Sequence, residues 1–258
     1  IDHKIKYVFM AAAKVGGIMA NNSLPAEFIF KNLMIQTNII NASYKNKIKR
    51  LIFLGSSCIY PKDIKQPIKE ESFMTGKLEP TNRPYAISKI AGIEMIWSYN
   101  RQYNKDDDTK AIALMPSNLY GLNDNYDLDG SHVIPGMINK FHEAKKNNKK
   151  LVTIWGTGKP LREFTFTDDL ASACIDIMNL GQSEFNKITA NNRNDGLPPI
   201  LNVGSGEEIS ISDLAKKISK IVGYEGEIYY DQKIPDGTLR KVVNSSRIKK
   251  LGWRSKFD

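Results

Sequence analysis

The chain has 258 residues, a hydrophobic content of 41% and a formal net charge of +9 from 37 basic and 28 acidic residues. This length and hydrophobic content can form a substantial core, which excludes a mainly disordered chain. No stretch approaches the ~18 to 20 consecutive apolar residues that cross a bilayer, so we expect neither a membrane-spanning segment nor a membrane partner.

The charge and the cysteine content limit the partners and the cellular setting. A basic surplus attracts anions in general, but no helix-turn-helix, zinc-finger or RNA-binding signature accompanies it, so we expect no nucleic-acid partner. Cys58 and Cys174 are too few for a disulfide framework, and the first residues lack the order of a signal peptide. We therefore expect a reducing, cytoplasmic location. The sequence suggests no metal site.

Short apolar runs alternate with longer segments of helical periodicity along the chain. The predicted elements are a strand at Lys6–Met10, a helix at Ala26–Tyr44, a strand at Arg50–Leu54, a helix at Pro84–Tyr103, a strand at Ala111–Met115, a strand at Leu151–Trp155, a helix at Asp168–Leu180, a strand at Ile200–Val203, a helix at Ser210–Val222 and a strand at Ile228–Tyr230. This alternation is typical of βαβ units and predicts an α/β fold with a parallel sheet.

A polar segment directly follows the apolar strand that ends at Leu54. It runs from Gly55 to Tyr60 and carries two serines and Cys58. Ligands of open α/β sheets bind at the carboxyl ends of the strands, so this segment is a candidate site. Cys174 lies on the apolar side of its predicted helix, and we expect it to be a small buried hydrophobic residue.

Tyr85 and Lys89 lie four positions apart near the start of a predicted helix, which places phenol and ammonium on one face. A phenol with an ordinary pKa of about 10 is a poor acid-base catalyst at neutral pH. A nearby cation favours the phenolate, so we expect Lys89 to lower the pKa of Tyr85. A hydroxyl of Ser56 or Ser57 could share the proton, and the set suits proton transfer at a carbonyl or an alcohol.

These features resemble the extended short-chain dehydrogenase/reductase superfamily, whose members act on nucleotide sugars with a nicotinamide cofactor. Within it, the chain resembles the GDP-L-fucose synthase family along nearly its whole length. The resemblance rests on Ala12–Gly17, Asn21–Asn22, Leu54–Pro61, Leu78–Ala86, Ser98–Tyr103, Ser131–Pro135, Trp155–Gly158, Arg162–Phe164 and Pro235–Thr238. It implies a Rossmann-type parallel sheet, with residues 1–130 forming most of the NADP-binding domain and residues 131–258 forming mainly a smaller C-terminal substrate-binding region interleaved with it.

The resemblance also implies roles for individual residues. In a 3,5-epimerisation followed by reduction at C4, Cys58 and His132 would exchange the carbon protons, and Tyr85, Lys89 and Ser56 would serve the reduction. Residues expected near NADP(H) are Leu54, Gly55, Ser56, Ser57, Tyr85, Lys89, Pro116, Ser117, Asn118, Leu119 and His132. Residues expected near a GDP-sugar are Asn118, Lys140, Trp155, Arg162 and Lys241. A homodimer that pairs through the long helices is expected as well.

One feature of the superfamily is missing from the sequence. Its members open with a strand and a glycine-rich turn that binds the cofactor pyrophosphate at a helix N-terminus, and no such motif is present. We therefore expect a chain that is incomplete at both ends, and the preference for NADP rests on the resemblance alone. Two alternatives stay open: another nucleotide-sugar epimerase or dehydratase of the superfamily, and a truncated binding module without catalysis.

Overall fold

The central sheet has four parallel strands that come from distant parts of the sequence. The computed structural model describes residues 4–103, 109–127, 130–190, 196–234 and 236–257. The strands lie in the order β1, β2, β3, β7, with the bounds Tyr7–Met10, Arg50–Leu54, Lys110–Pro116 and Ile200–Val203. All three pairings are parallel, so the strands end at one common edge of the sheet. This arrangement confirms the predicted α/β fold with a Rossmann-type parallel sheet.

Helices cover both faces of this sheet because its strands are apolar on both sides. In β2, Leu51 and Phe53 pack with α2 (Pro25–Lys45) and α3 (Arg83–Gln102). Ile52 points to the other face, where it joins a cluster that includes residues of α5 (Thr167–Asn179), α6 (Gln182–Thr189) and α8 (Ser246–Lys250). Parallel sheets require this double cover, and it leaves the carboxyl edge for polar groups.

The remaining strands form two smaller sheets. β6 (Leu161–Phe166) is parallel to β4 (Asn118–Tyr120) and β10 (Arg240–Lys241) and antiparallel to β8 (Glu208–Ser210). β5 (Leu151–Trp155) is parallel to β9 (Glu227–Asp231). Residues of α4 (Val133–Lys146) and α7 (Ile211–Val222) share a core with β5. The described part of the chain also contains a short helix, α1 (Ile18–Ser23).

The ten predicted elements are all present, with ends within one residue of the prediction. The sequence analysis missed α1, α4, α6 and the four strands of the β6 sheet. Cys174 is only 7% exposed, and burial raises the pKa of its thiol to about 11, which confirms its expected place in the core. None of the helices within the described ranges is both long and apolar enough to cross a bilayer. The division into two regions at residue 130 stays a prediction.

Candidate active site

The end of β2 places two serines and a cysteine at the carboxyl edge of the central sheet. Gly55 follows the strand, and a Cβ there would overlap the end of the Met115 side chain on β3, which would have to move. Ser56 is extended, and its hydroxyl accepts a 3.2 Å hydrogen bond from the backbone N–H of Cys58. This bond fixes the hydroxyl of Ser56 relative to the cysteine. Ser57 is buried, at 4% exposure.

The first turns of α3 bring Tyr85 and Lys89 to the same edge. Pro84 lies in the first turn of the helix, where a missing N–H costs nothing. The hydroxyl of Ser56 lies close enough to the phenol of Tyr85 to favour its ionised form, and the ammonium of Lys89 donates a 2.9 Å bond to the carbonyl of Leu54. The Nζ atom of Lys89 lies 5.9 Å from the centre of the Tyr85 ring. The structure thus brings together Ser56, Tyr85 and Lys89, as the helical spacing suggested.

Burial sets the protonation of this group. It raises the pKa of Tyr85 above the ordinary value for a phenol; a negative charge on Cys58 acts in the same direction and the Ser56 hydrogen bond opposes both. The expected lowering of this pKa by Lys89 is therefore not found: the shift is upward, with burial as its largest cause. Burial also lowers the pKa of Lys89, to about 8. Tyr85 keeps its proton at neutral pH, which is the form that a proton donor needs.

Two side chains approach the sulfur of Cys58. The amide Nδ2 of Asn82 lies 3.3 Å from Sγ, and the ammonium Nζ of Lys241 lies 3.4 Å from it. Lys241 was expected near a GDP-sugar, and that role stays a prediction, but its contact in the structure is with the thiol. The sequence analysis missed Asn82, although this residue stands three positions before Tyr85. Its position in the turn that leads into α3 was the available signal.

His132 precedes the first residue of α4 and is exposed. Its side chain makes no capping hydrogen bond to the helix, so its imidazole is not committed to the first turn. The residues before it touch another segment: the backbone N–H of Gly17 donates a 3.3 Å bond to the carbonyl of Gly130. His132 is therefore carried on a loop that is fixed from the side of α1.

Two of the residues expected near a GDP-sugar form a pair at the end of β5. Trp155 is 51% exposed, and the ammonium of Lys140 lies 4.9 Å from the centroid of its ring. Burial lowers the pKa of Lys140. A cation beside an exposed aromatic face suits a ligand that carries both phosphate and a base.

Asp236, which the sequence analysis did not single out, contacts the turn after Trp155 and acts through its charge on Arg162 of β6. The two carboxylate oxygens of Asp236 accept bonds from the backbone N–H (2.9 Å) and the hydroxyl (2.6 Å) of Thr157. Burial lowers the pKa of Arg162, and the charge of Asp236 opposes this shift. Asp236 is thus bonded to the turn after Trp155 and acts on the guanidinium through its charge. Pro235, which belongs to the same sequence block, lies outside the described residues.

The residues after β3 have mainly structural contacts. The hydroxyl of Ser117 lies 2.7 Å from that of Thr165, and the amide of Asn118 donates a 3.1 Å bond to the carbonyl of Glu163. Leu119 packs against the core. These contacts fix the backbone at the strand end, and the expected cofactor contacts of Pro116, Ser117, Asn118 and Leu119 stay predictions.

The edge of the sheet has groups that fit a nicotinamide nucleotide. Lys89 is 3% exposed, and among the described residues Leu54 provides the acceptor for its ammonium. An ammonium has three donors, so it can also bind hydroxyls of a ribose. Tyr85 and the ends of β2 and β3 would form the rest of the nicotinamide end of the site.

Glu163 on β6 is a buried carboxyl that supports the strand carrying Lys241. Its carboxylate accepts a 2.7 Å bond from the N–H of Gly206 and a 2.9 Å bond from the N–H of Val243, two residues beyond Lys241. Its side chain is 0% exposed, and burial raises its pKa to about 7 although both donors lower it. The neutral form therefore persists well above the ordinary pKa of 4.5.

This shift predicts a pH-dependent stability. The folded-state pKa is above the unfolded one, so the stabilisation is fully present below pH 4.5 and is lost as the pH rises through about 7. We expect the free energy of unfolding, relative to that of Glu163→Gln, to fall by about 3 kcal/mol over this range. Denaturant titrations of both proteins at several pH values measure it. Parallel profiles would contradict the assignment, because glutamine does not titrate.

Comparisons with known proteins agree with this geometry. The model of the NAD dependent epimerase/dehydratase family matches residues 1–191. The GDP-L-fucose synthase of Escherichia coli (strain K12) is 49% identical over 252 residues, which are 98% of this chain and 76% of that protein. GDP-L-fucose synthase 1 of Arabidopsis thaliana is 49% identical over 255 residues, 99% of this chain and 73% of that protein.

A solved structure is also similar to this chain in fold and sequence. The GDP-mannoheptose C4 reductase from Campylobacter jejuni with NADP bound superimposes with a TM-score of 0.83 at 38% identity, covering 98% of this chain and 77% of that one. The chain covers 76% and 73% of the lengths of the two synthases, and the comparisons alone do not confirm the expected missing segments. The chain belongs to the NAD dependent epimerase/dehydratase family, in the group that includes the GDP-L-fucose synthases.

Proposed function

We propose that this protein converts GDP-4-keto-6-deoxy-D-mannose into GDP-L-fucose, by epimerisation at C3 and C5 and NADPH-dependent reduction at C4. The similarity to GDP-L-fucose synthases supports this substrate class. The proposal rests mainly on the position of Ser56. Its hydroxyl lies beside the phenol of Tyr85 and accepts a hydrogen bond from the backbone N–H of Cys58. A proton donor for a carbonyl oxygen therefore lies beside a thiol that can exchange a carbon proton.

Epimerisation next to a ketone needs one group to remove the acidic carbon proton and another to return a proton on the opposite face. Cys58 is suited to the first role, because its sulfur is partly exposed and lies between the donors of Asn82 and Lys241. His132 is suited to the second, because its exposed imidazole is free of the helix cap. A simple 4-epimerase has no need of this pair, which favours the epimerase-reductase over other members of the superfamily.

Reduction needs a proton at the C4 oxygen as the carbonyl becomes an alcohol. The phenol of Tyr85 donates this proton, since burial keeps it protonated at neutral pH. Ser56 orients the phenol, and the ammonium of Lys89, which is held by Leu54, restores charge balance as the phenolate forms. NADPH, when bound at this edge of the sheet, supplies the hydride.

The GDP part of the substrate is assigned to the smaller sheets. Arg162 and Lys140 suit the diphosphate, Trp155 suits the guanine face, and Asn118 suits a sugar hydroxyl. We also propose a cytoplasmic homodimer that pairs through α2 and α3. Light scattering of the purified protein gives its mass directly, and a monomer at all concentrations would contradict the dimer.

The test is product identification. The protein is incubated with GDP-4-keto-6-deoxy-D-mannose and NADPH, and the product is identified by NMR; we expect GDP-L-fucose and one NADPH oxidised per product. The UDP-linked analogue, which lacks guanine, is the control and should react slowly. NADPH oxidation that yields only the unepimerised alcohol would indicate a C4 reductase. Neither NADPH oxidation nor exchange of substrate protons with D2O would indicate a non-catalytic binding protein.

A further inference from the structure

Two buried asparagines hold the segment 14–17 in place before α1. Asn32 of α2 binds both backbone groups of Lys14: its Oδ1 accepts from the N–H at 2.8 Å and its Nδ2 donates to the carbonyl at 3.0 Å. The Nδ2 of Asn21 donates to the carbonyls of Gly16 (2.7 Å) and Gly17 (3.0 Å). Asn32 is 2% exposed and Asn21 is 6% exposed, so both clamps lie in the interior, where hydrogen bonds are hard to exchange for water.

The clamped segment touches the loop that carries His132. The N–H of Gly17 donates to the carbonyl of Gly130 at 3.3 Å. A Cβ built on Gly17 would lie 2.7 Å from the carbonyl oxygen of Ser131, closer than a carbon atom can approach a backbone oxygen. Only glycine allows the loop to lie where it does. His132 follows Ser131 directly, so any displacement of that carbonyl moves the imidazole.

The same segment also reaches the thiol side of the site. Gly17 is the N-cap of α1, and α1 lies against the turn Pro80–Asn82. Asn82 in turn donates to the sulfur of Cys58 at 3.3 Å. One rigid piece of backbone therefore supports both the turn beside Cys58 and the loop before His132.

We propose that Gly17 is a positioning residue for epimerisation, which sets the place of His132 relative to Cys58. This inference rests on the proposed function, since it assumes that these two groups exchange the carbon protons. Proton transfer needs donor and carbon within hydrogen-bond reach, and a displacement of about 1 Å can cost about 100-fold in rate. Because Asn21 holds the carbonyl of Gly17 and Asn32 holds Lys14 in the same segment, we expect an added methyl group to move the loop 130–132 and not the segment.

The experiment compares Gly17→Ala with a matched control, Gly76→Ala. A Cβ at Gly76 would also be crowded, with Pro61 Cβ at 3.2 Å, but Gly76 lies in an exposed turn outside the site. Epimerisation is followed without NADPH, as deuterium uptake from D2O at C3 and C5 of the keto-sugar. We expect uptake to fall about 100-fold in Gly17→Ala and to stay at the wild-type rate in Gly76→Ala.

Two further measurements separate positioning from general damage. With NADPH, Gly17→Ala should still reduce the keto-sugar, and the product should be the unepimerised alcohol. Alkylation of Cys58 by iodoacetamide should proceed at the wild-type rate, because the contacts of the thiol do not move. If Gly17→Ala loses deuterium uptake and reduction and its Cys58 is no longer alkylated at the wild-type rate, the inference is overturned in favour of a purely structural role.

Asn21→Ala and His132→Asn complete the design. Asn21→Ala releases the carbonyl of Gly17 without adding bulk, so it provides a test even if Gly17→Ala folds poorly. We expect a smaller loss of deuterium uptake with reduction retained. Unchanged uptake in Asn21→Ala would overturn the inference. If deuterium uptake is at the wild-type rate in Gly17→Ala but lost in His132→Asn, the inference about Gly17 is overturned and the proposed function stands. Wild-type uptake in His132→Asn would overturn the role of His132 in the proposed function, and the inference with it.

Discussion

Tyr85→Phe is expected to lose reduction at C4 and to keep epimerisation. The variant removes the phenolic hydroxyl that is assigned to protonate the carbonyl oxygen and that burial keeps protonated. General acids of this kind contribute about 10²- to 10⁴-fold, so NADPH oxidation should fall by that factor. Deuterium uptake at C3 and C5 should continue, because Cys58 and His132 are untouched. Both rates are measured on the same keto-sugar, with and without NADPH.

The substitution is conservative for the fold. The ring of Tyr85 packs edge-on against Phe28 at a centroid distance of 6.3 Å, and phenylalanine keeps this contact. Tyr99→Phe is the matched control. Tyr99 is on the same helix as Tyr85 but away from the sheet edge, and its hydroxyl donates to Asn41 at 3.1 Å. This control variant should oxidise NADPH normally. Wild-type NADPH oxidation in Tyr85→Phe would show that another group protonates the oxygen.

Cys58→Ala is expected to give the opposite separation. Removal of the sulfur leaves Asn82 and Lys241 in place but takes away the group that exchanges the carbon proton. Deuterium uptake should fall about 10²- to 10⁴-fold, and some direct reduction of the unepimerised ketone should remain, since Tyr85 and Lys89 are intact. NMR of the product distinguishes the unepimerised alcohol from GDP-L-fucose.

Cys174→Ala is the control for thiol loss, because Cys174 lies in the core among apolar residues. It should lower stability slightly and leave both half-reactions unchanged. Formation of GDP-L-fucose at the normal rate by Cys58→Ala would mean that the assignment of Cys58 is wrong. Loss of both reduction and epimerisation in Cys58→Ala would mean that the thiol also supports Tyr85. Ser56 lies between these two residues, so Ser56→Ala tests that possibility.

The strands of the central sheet and of the β5–β9 sheet could be predicted from the sequence, and the strands of the β6 sheet could not. β2, β3 and β7 are mainly apolar, with Asn202 as a polar interruption in β7, as expected of strands buried on both faces. β6 lacks this signal because two of its inward positions are polar: Glu163 is 0% exposed and Thr165 is 1% exposed. Their partners are backbone and hydroxyl groups from distant segments of the chain, so no local sequence pattern indicates them.

The site divides in a similar way. The grouping of Ser56, Tyr85 and Lys89 followed from a strand end and a helical spacing, both of which are local. The contact of Lys241 with Cys58 did not, because it depends on the pairing of the two-residue strand β10 with β6. α4 was missed since Pro135 and Gly136 stand in its first turn and the residue before the helix, His132, is not a usual capping residue.

The contact between Lys241 and Cys58 joins distant parts of the sequence, and this separation sets the order in which the site can form. Lys241 and Cys58 are 183 positions apart in the sequence, whereas Ser56, Tyr85 and Lys89 lie within a few dozen residues of one another. During synthesis, a chain that has emerged as far as α3 already contains the reductive residues and the thiol, but the ammonium follows much later. Contacts of such high sequence separation form late in folding. The nascent chain therefore exposes a thiol without its cationic neighbour, and the epimerising half of the site matures last.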